Sequence, residues 1–446
     1  MYFKRQVFLV LGLSKSGCAA AEFLLSKNAV TYVYDDIVSE RVESAVNTLV
    51  ALGAGKVSKE DVIKMPDICD ALVLSPGIPI DHPLAVAFKR NRRAVLGEAE
   101  LAARYMRCPM IAVTGTNGKT TTVMLIDHIL KSAHVESHAV GNIGYAFSSI
   151  CDRLDALDVA VIETSSFQLE TAHSFAPDYA VLLNITPDHL DRHGDFDKYV
   201  SAKANIFLHQ SECDKIVYNY DDPTIRSLEP FMKGKQIPFS TTTPLPNGAY
   251  LSSGFVCYKG MPVVELADLD VKGKEIENVL AAVAVTMDKG ISKYTVSSAL
   301  YSFSRPKYRR TKVADICGVA VFNDSKATNI HSTLSAIEAM DGTTVLILGG
   351  AKGREDFACL FSSMKKVVQV IICGDNKDEI CRHAQSFGID FLICDTLDDA
   401  VEEGLVAANK KGAGNLLFSP ASKSFDRYKN YEERGKAFDS IVKLKK

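Results

Sequence analysis

At 446 residues, 47% hydrophobic and 24% charged, the chain has the balance of an ordinary globular protein and length for about three domains. A formal net charge of −3 argues against nucleic-acid binding, which needs a basic face. Eleven cysteines, an odd number without a C-x-x-C pair, read as scattered core thiols of a reducing compartment; the nearest approach to a metal cluster, Cys373, Cys381 and His383, fits no common ligand spacing.

Lys4 and Arg5 precede a short apolar run, the outline of a signal peptide. The run ends at Ser14-Lys15 without a small-residue cleavage site, so a first strand over 7–13 is expected instead. No apolar stretch is long enough to span a membrane, and a cytoplasmic protein is expected. The strand leads into Gly12-Leu13-Ser14-Lys15-Ser16-Gly17 and a helix through 19–25; a second strand, 31–34, ends in Asp35-Asp36. Strand, glycine turn, helix, strand and a carboxylate about twenty residues on is the outline of a dinucleotide fold. Ser14 stands where the second glycine belongs, which weakens NAD as the ligand, and Asp35 is placed to grip a hydroxyl of some nucleotide-like molecule. Strand 71–74 runs into Ser75-Pro76-Gly77, a tight turn at a strand's carboxyl end, where open α/β sheets bind ligands.

From Met110 to Thr122 the chain reads M-I-A-V-T-G-T-N-G-K-T-T-T. A buried strand over 110–113 is expected, then a sharp turn through Gly115-Thr116-Asn117-Gly118-Lys119-Thr120. A helix follows with Val123, Ile126, Ile129 and Leu130 on one face. That geometry aims backbone N–H groups and a helix N-terminus at a phosphate. Lys119 adds a point charge for β- and γ-phosphates, and Thr120 a hydroxyl for Mg²⁺. Val113 occupies the position of the usual P-loop's first glycine, so this loop is shorter. An ordinary βα turn would explain the glycines, but it does not need Lys-Thr directly after the second one.

Gly141-Asn142-Ile143-Gly144 is a glycine-flanked turn. Strand 159–162 ends in Glu163-Thr164-Ser165-Ser166, and strand 179–183 in Asn184-Ile185-Thr186-Pro187-Asp188-His189. Glu163 and His189 thus fall at the strand ends beside the phosphate loop as oxygen and imidazole ligands for Mg²⁺; the alternatives are a helix-cap partner and a loop histidine. Lys203, on an amphipathic helix over 199–206, reads from its neighbours as a solvated surface lysine. Short alternating segments over 248–271 suggest a small β excursion, 275–287 a helix, and 304–312, S-R-P-K-Y-R-R-T-K, a basic hinge.

Strands 319–322, 344–348, 367–373 and 415–418 follow. They end in Asn323-Asp324-Ser325-Lys326-Ala327-Thr328-Asn329, Gly349-Gly350-Ala351-Lys352-Gly353, Gly374-Asp375 and Ser419-Pro420-Ala421-Ser422-Lys423-Ser424. Polar, lysine-bearing loops recurring at one edge of a parallel sheet are where ligands bind. The expected fold is α/β in three domains: a Rossmann-like one over 1–106, a P-loop ATPase-like one with a parallel sheet plus a small β segment over 107–304, and a second Rossmann-like one over 305–446. A substrate bridging their loaded edges in a closing cleft is the economical reading.

T-G-T-N-G-K-T-T-T, followed by E-T-S-S-F-Q-L-E, N-I-T-P-D-H-L-D-R-H, N-D-S-K-A-T-N and S-P-A-S-K-S-F-D…Y-E-E-R-G, closely resembles the Mur ligases, essentially end to end and in family order. The last motifs resemble the branch that adds D-glutamate. The resemblance implies an ATP-dependent amide-bond ligase of peptidoglycan precursor synthesis. In it the L-alanine carboxylate of UDP-N-acetylmuramoyl-L-alanine attacks the γ-phosphate of ATP, giving an acyl phosphate and ADP, and the D-glutamate amine then displaces phosphate.

The resemblance also implies roles. ATP would be met by Gly115, Thr116, Asn117, Gly118, Lys119, Thr120, Thr121, Asn278, Arg309 and, at the ribose, Asp324. Two Mg²⁺ ions would be held by Thr120, Glu163, His189 and Lys203 as its carbamate, with His189 either on the second ion or near the incoming amine. The UDP-substrate would meet Ser14, Lys15, Ser16, Asp35, Ser75, Pro76, Gly77 and Asn142, so the first glycine turn is a UDP site and not an NAD site. Lys326, Thr328, Lys352, Ser424 and Tyr431 would receive D-glutamate or steady the tetrahedral intermediate, and catalysis would fall chiefly on Lys119, His189, Lys203 and Lys326. There are departures. The family's Gly-x-His-Asn is Gly273-Lys274-Glu275-Ile276 here, its Leu-Pro-His-Arg hinge is Arg305-Pro306-Lys307-Tyr308-Arg309, Lys15 and Ile37 are replacements at the uracil end, and Lys423 stands where a small residue is usual. Two other readings are a related ligase taking another amino acid, such as L-glutamate, and a nucleotide-binding homologue without turnover. A monomer without nucleic-acid or membrane partners is expected.

Overall fold

The structure, a computed structural model, describes residues 5–445 apart from 144, 305, 306 and 354. Lys4, Gly144 and the Arg305-Pro306 pair lie outside the described residues. The chain forms two compact units, Met1–Asp270 with Ile276–Phe303, and Val271–Glu275 with Ser304–Lys446.

The first unit carries two sheets. One is wholly parallel: β1 (Val7–Leu11), β2 (Val30–Tyr34), β3 (Gly55–Lys56), β4 (Ala71–Leu74) and β5 (Ala94–Gly97), in the order β3-β2-β1-β4-β5. Strands covered on both faces need continuous apolar runs, which VFLVL and ALVL supply. Phe8 and Val10 face one core, with Phe23 and Leu24 of the helix Lys15–Ser26; Leu9, Leu11, Leu72 and Phe88 fill the other. Strand order reverses between β1 and β4, so the loops after them, at Gly12 and Ser75, flank a topological switch point. Gly12 turns the chain at φ +86°, and a Cβ on Gly17 would stand 1.8 Å from its carbonyl oxygen.

The second sheet has nine strands: β6 (Met110–Thr114), β7 (Ser137–Gly141), β8 (Val159–Glu163), β9 (Tyr179–Leu182), β10 (Lys215–Asn219), β11 (Lys235–Ser240), β12 (Ala249–Ser252), β13 (Phe255–Tyr258) and β14 (Met261–Glu265). Their order is β14-β13-β12-β11-β10-β9-β6-β8-β7. From β7 to β12 the pairing is parallel; β12, β13 and β14 form an antiparallel meander. The β segment expected over 248–271 is thus an extension of the main sheet. β10 and β11, absent from the sequence reading, join the two. β11 reads KQIPFS, and a Pro inside a run counts against a strand, yet Pro238 pairs opposite Tyr218. Because β6 lies between β8 and β9, the loops after these three strands share one edge.

The second unit is a six-stranded sheet: β15 (Thr311–Ile316), β16 (Val319–Asn323), β17 (Thr344–Leu348), β18 (Val367–Ile372), β19 (Phe391–Ile393) and β20 (Asn415–Phe418), ordered β15-β16-β20-β17-β18-β19. All pairs are parallel except β15 with β16. Thr311 and Lys312, the end of the stretch read as a hinge, already belong to β15, with Thr311 opposite Asn323.

Candidate active site

The loop after β6 is built around Gly118. It sits at φ +87°, and a Cβ there would lie 2.2 Å from Asn278 Oδ1. The helix Lys119–Ser132 starts at once and has no acid in its first turn, so its N-terminal partial charge stays open to an anion. The loop is pinned from β9's side: Thr116 N donates to Asn184 O at 2.8 Å, and Asn117 N to Asn184 Oδ1 at 2.8 Å. Thr116 Oγ1 lies 3.0 Å from Tyr199 OH and donates to Thr186 O. Lys119 Nζ folds onto the loop, donating to Gly115 O at 2.7 Å and Thr116 O at 2.9 Å. Thr121 is half-buried in the helix's first turn. Asn278, on the helix Glu275–Asp288, accepts from Thr122 Oγ1 at 3.2 Å.

Glu163 ends β8, buried beside the helix Lys119–Ser132. Its Oε2 accepts from Thr120 Oγ1 at 2.7 Å and its Oε1 from Asn142 Nδ2 at 3.0 Å. Asn142, grouped by resemblance with the sugar-nucleotide residues, therefore also orients the carboxylate expected to bind Mg²⁺. Among the described residues no three His, Cys, Asp or Glu side chains cluster as a metal site. The hydroxyl and carboxylate at Thr120 and Glu163 are nonetheless the hard oxygen donors Mg²⁺ takes.

Lys203 is not a surface lysine. It is 1% exposed on the helix Phe196–Ala204, and its Nζ donates to Gly115 O at 2.8 Å and lies 4.8 Å above the Tyr199 ring. The seven residues flanking it in 199–206 supply a helical period but not which face is covered; a glycine-loop carbonyl in its path decides that. Burial, and then the charge of Lys119, push its ammonium well below the ordinary lysine range, against the opposing pull of Asp188 and Glu163. His189 stands at φ +55°, left-handed and costly for a residue with a Cβ, at the start of the short helix Leu190–His193. Its ring is 4.9 Å from that of Phe167, and its Nε2 is 3.8 Å from Asp188 Oδ2.

In the first sheet, Ser14 precedes the helix Lys15–Ser26 without a side-chain bond to its N–H groups, and that helix too has no acid in its first turn. Lys15 and Ser16 open it, with Lys15 Nζ 6.0 Å above the Tyr145 ring. Ser75 Oγ donates to Gly12 O at 2.9 Å and stands 3.1 Å from Ser14 Oγ, so the two turns close on each other. Asp35 is occupied by the backbone: its carboxylate accepts from Leu13 N at 2.6 Å and Ile37 N at 2.9 Å. Pro76 and Gly77 turn their carbonyls toward Arg192.

In the second unit, Asp324 follows β16 and accepts from Ser419 Oγ at 2.7 Å and Arg310 N at 3.0 Å. Burial raises its carboxyl to about 7 despite Ser419 and the nearby charges of Arg309 and Arg310. Arg309 Nε is buried with no hydrogen-bond partner among the described residues. Lys326 Nζ lies 4.8 Å over the Tyr431 ring; Ser424 is buried, Thr328 half-buried and Lys352 exposed.

Sequence reasoning missed three side chains. Arg434 is 2% exposed and braces two loops, donating from Nη2 to Ser325 O at 2.8 Å and Ser422 O at 3.0 Å, and from Nε to Ser325 Oγ at 3.1 Å. Among acids in Y-E-E-R it passes for a surface charge, although it shares the i, i+4, i+8 face of buried Phe438 and Val442. Asn376 ties Gly350 N to Ser422 Oγ, at 2.9 Å each. Arg192 lies inside a motif that was read for its histidine and carboxylates.

Comparison with known proteins places the chain in a family. Three family models match: the Mur ligase MurD-like N-terminal domain over residues 6–97, the Mur ligase middle domain over 113–286, and the Mur ligase glutamate ligase domain over 309–419. A UDP-N-acetylmuramoylalanine–D-glutamate ligase of Caldanaerobacter subterraneus subsp. tengcongensis is 36% identical over 451 residues, covering 99% of both chains. The enzyme of the same name from Geotalea uraniireducens is 37% identical over 445 residues, covering 98% of this chain and 96% of its own. A pseudomurein peptide ligase type C from Methanothermus fervidus shares the fold at a TM-score of 0.63 and 16% identity, covering 99% of this chain and 100% of its own. With three domain models in order and full-length relatives above a third identical, the chain belongs to the Mur ligase family, where the relatives it resembles are the UDP-N-acetylmuramoylalanine–D-glutamate ligases.

Proposed function

We propose that the chain is the ATP-dependent ligase that joins D-glutamate to UDP-N-acetylmuramoyl-L-alanine in peptidoglycan precursor synthesis. The observation that carries this is the cluster at Gly115 O: two lysines, Lys119 and Lys203, on one loop carbonyl, beside a carboxylate already bonded to Thr120. A carboxylate does not expel hydroxide at neutral pH and must first be activated. Its oxygen attacks the γ-phosphorus of ATP, the bond to the β-bridging oxygen breaks, and ADP leaves with that electron pair. The amine of D-glutamate then attacks the acyl carbon and phosphate leaves, the amine's proton passing to solvent or a nearby base.

The chain's share is positioning and charge. Lys119 and the N-terminus of Lys119–Ser132 hold the phosphates, while the N–H groups of Thr116 and Asn117 stay bonded to Asn184 and fix the loop. Thr120 and Glu163 present oxygens to Mg²⁺, with Asn142 fixing the second oxygen of Glu163. When bound, Mg²⁺ neutralises the transferring phosphoryl group. We take two ions, the second shared by His189 and a Lys203 carbamate. A buried lysine driven toward its neutral amine is the form that adds CO₂, releasing a proton and exchanging a cation for an anion. The turns at Ser14–Ser16 and Ser75–Gly77 take the UDP end, and Lys326, Thr328, Lys352, Ser424 and Tyr431 take D-glutamate. Three domains over 1–106, 107–304 and 305–446 remain our division of the chain, and we take it as a monomer. No helix among the described residues is long and apolar enough to cross a membrane, and we place the reaction in the cytoplasm, with its ATP.

The test is phosphate release by the full chain with ATP and Mg²⁺. Release is expected only when both UDP-N-acetylmuramoyl-L-alanine and D-glutamate are present, with L-glutamate a poor substitute. Release indifferent to D-glutamate would sink the reading; equal rates with L-glutamate would move the chain to a relative of different amine specificity.

A further inference from the structure

We infer that Arg192 is a positioning residue that locks the sugar-nucleotide turn of the first sheet to the segment bearing His189, setting the register between acceptor carboxylate and γ-phosphate. The inference rests on the ligase reading above. Arg192 leaves the short helix Leu190–His193 and reaches the turn after β4. Its Nη2 donates to Ile78 O at 2.8 Å and to Glu170 Oε2 at 3.0 Å; its Nη1 lies 3.4 Å from both Pro76 O and Gly77 O. Its Cζ stands 4.8 Å over the Phe167 ring centre. Three successive carbonyls, a carboxylate and an aromatic face thus converge on one planar cation. A lysine ammonium, compact and unable to fork, cannot reproduce that set.

The bonds continue on both sides. Arg192 N and His193 N both donate to His189 O, at 3.0 and 3.1 Å. Glu170, which Arg192 holds, pairs through Oε1 with His193 Nδ1 at 3.2 Å, and His193 Nε2 lies 3.0 Å from Ser166 Oγ, three residues past Glu163. On the substrate side Ile78 N donates to Ser75 O at 2.9 Å, and Ser75 Oγ joins Gly12 O and Ser14 Oγ. One connected path therefore runs from the glycine turn of the first sheet to the strand ends that carry Glu163 and His189. Phosphoryl transfer needs the reacting atoms within about 3–3.5 Å, and a misplacement of ~1 Å costs on the order of 10²-fold in rate. A substrate held on one sheet and a phosphate held on another meet that tolerance only if the sheets keep register.

The experiment compares wild type, Arg192→Lys and Arg192→Ala for kcat, for KM of UDP-N-acetylmuramoyl-L-alanine, for the Kd of ATP without sugar nucleotide, and for Tm. Arg192→Lys keeps a cation for Glu170 and guards against a folding defect. Both variants are expected to lose about 10- to 100-fold in kcat/KM for the sugar nucleotide while Kd for ATP stays within about twofold, and added guanidinium ion is expected to restore part of the Arg192→Ala rate. An inactive wild type would defeat the ligase reading itself. An active wild type with both variants within about twofold of it would overturn the inference alone. So would losses in ATP affinity and Tm that match the loss of rate, since these make Arg192 merely structural.

Discussion

Lys119 and Lys203 place two amines on one oxygen, 2.7 and 2.8 Å from Gly115 O. Bonded to the same atom, they stand no more than about 5.5 Å apart, where two full charges would repel by ~3 kcal/mol at an effective dielectric of about 20. A protein interior relieves that by neutralising one amine, and Lys203, fully enclosed, is the one that burial drives down. The proposed addition of CO₂ would go further and turn the repulsion into attraction. Lys203→Ala is therefore expected to lose activity by about 10²-fold or more, as removal of a transition-state charge partner does. Acetate or formate at high concentration should restore part of it by supplying the missing carboxylate. Full activity of the variant, or an inactive variant that no short acid rescues, would remove the carbamate from the mechanism.

At the scale of elements, each site is the carboxyl end of a buried strand followed by a small-residue turn and a helix. The loop from β6 into Lys119–Ser132 shows how little freedom that leaves. Gly118 needs φ +87°, which costs an L-residue ~1–2 kcal/mol, and its missing side chain is the space filled by Asn278. Gly118→Ala is expected to lower Tm by several degrees and to weaken ATP binding by more than about tenfold, read by calorimetric titration. A variant that binds ATP normally would mean that the loop is no phosphate cradle. This element was legible because an apolar strand, two glycines and Lys-Thr are each local in sequence. So were the turns at Gly12 and Ser75, and the loaded ends of β16, β17 and β20. What escaped was what distance in sequence hides. Lys203 is buried by a loop 88 residues before it, Arg434 braces loops from 325 and 422, and Arg192 meets carbonyls 114 to 116 residues away. Amphipathic period ranks a lysine or an arginine by its own helix; it places Arg434 on the buried face of Phe438 and Val442 but not against its loops, and Lys203 and Arg192 are placed by other elements. β10 and β11 escaped for a local reason, a Lys at the start of each and a Pro within the second.

At the scale of the whole molecule, the proposed chemistry divides along the chain. The residues assigned to the phosphates, to Mg²⁺ and to the sugar nucleotide lie in the first unit, Arg309 and Asp324 excepted, and those assigned to D-glutamate lie in the second. A two-step mechanism divides in the same place, because the acyl phosphate forms before the amine is needed. The steps can therefore be read apart by giving hydroxylamine in place of D-glutamate. Wild type with ATP, Mg²⁺ and UDP-N-acetylmuramoyl-L-alanine is expected to yield the hydroxamate of the alanyl carboxyl and an equal amount of ADP. Ser424→Ala and Tyr431→Phe, each removing one hydrogen bond proposed to reach the charged amino acid, should raise KM for D-glutamate by about tenfold, the equivalent of ~1.4 kcal/mol, and leave hydroxamate formation within about threefold of wild type. Lys119→Ala should lose both products together, since its charge is assigned to the first step. If the two D-glutamate variants instead lose hydroxamate in step with ligation, the amine-side residues are needed to form the acyl phosphate, and the division of the two steps between the two units is wrong.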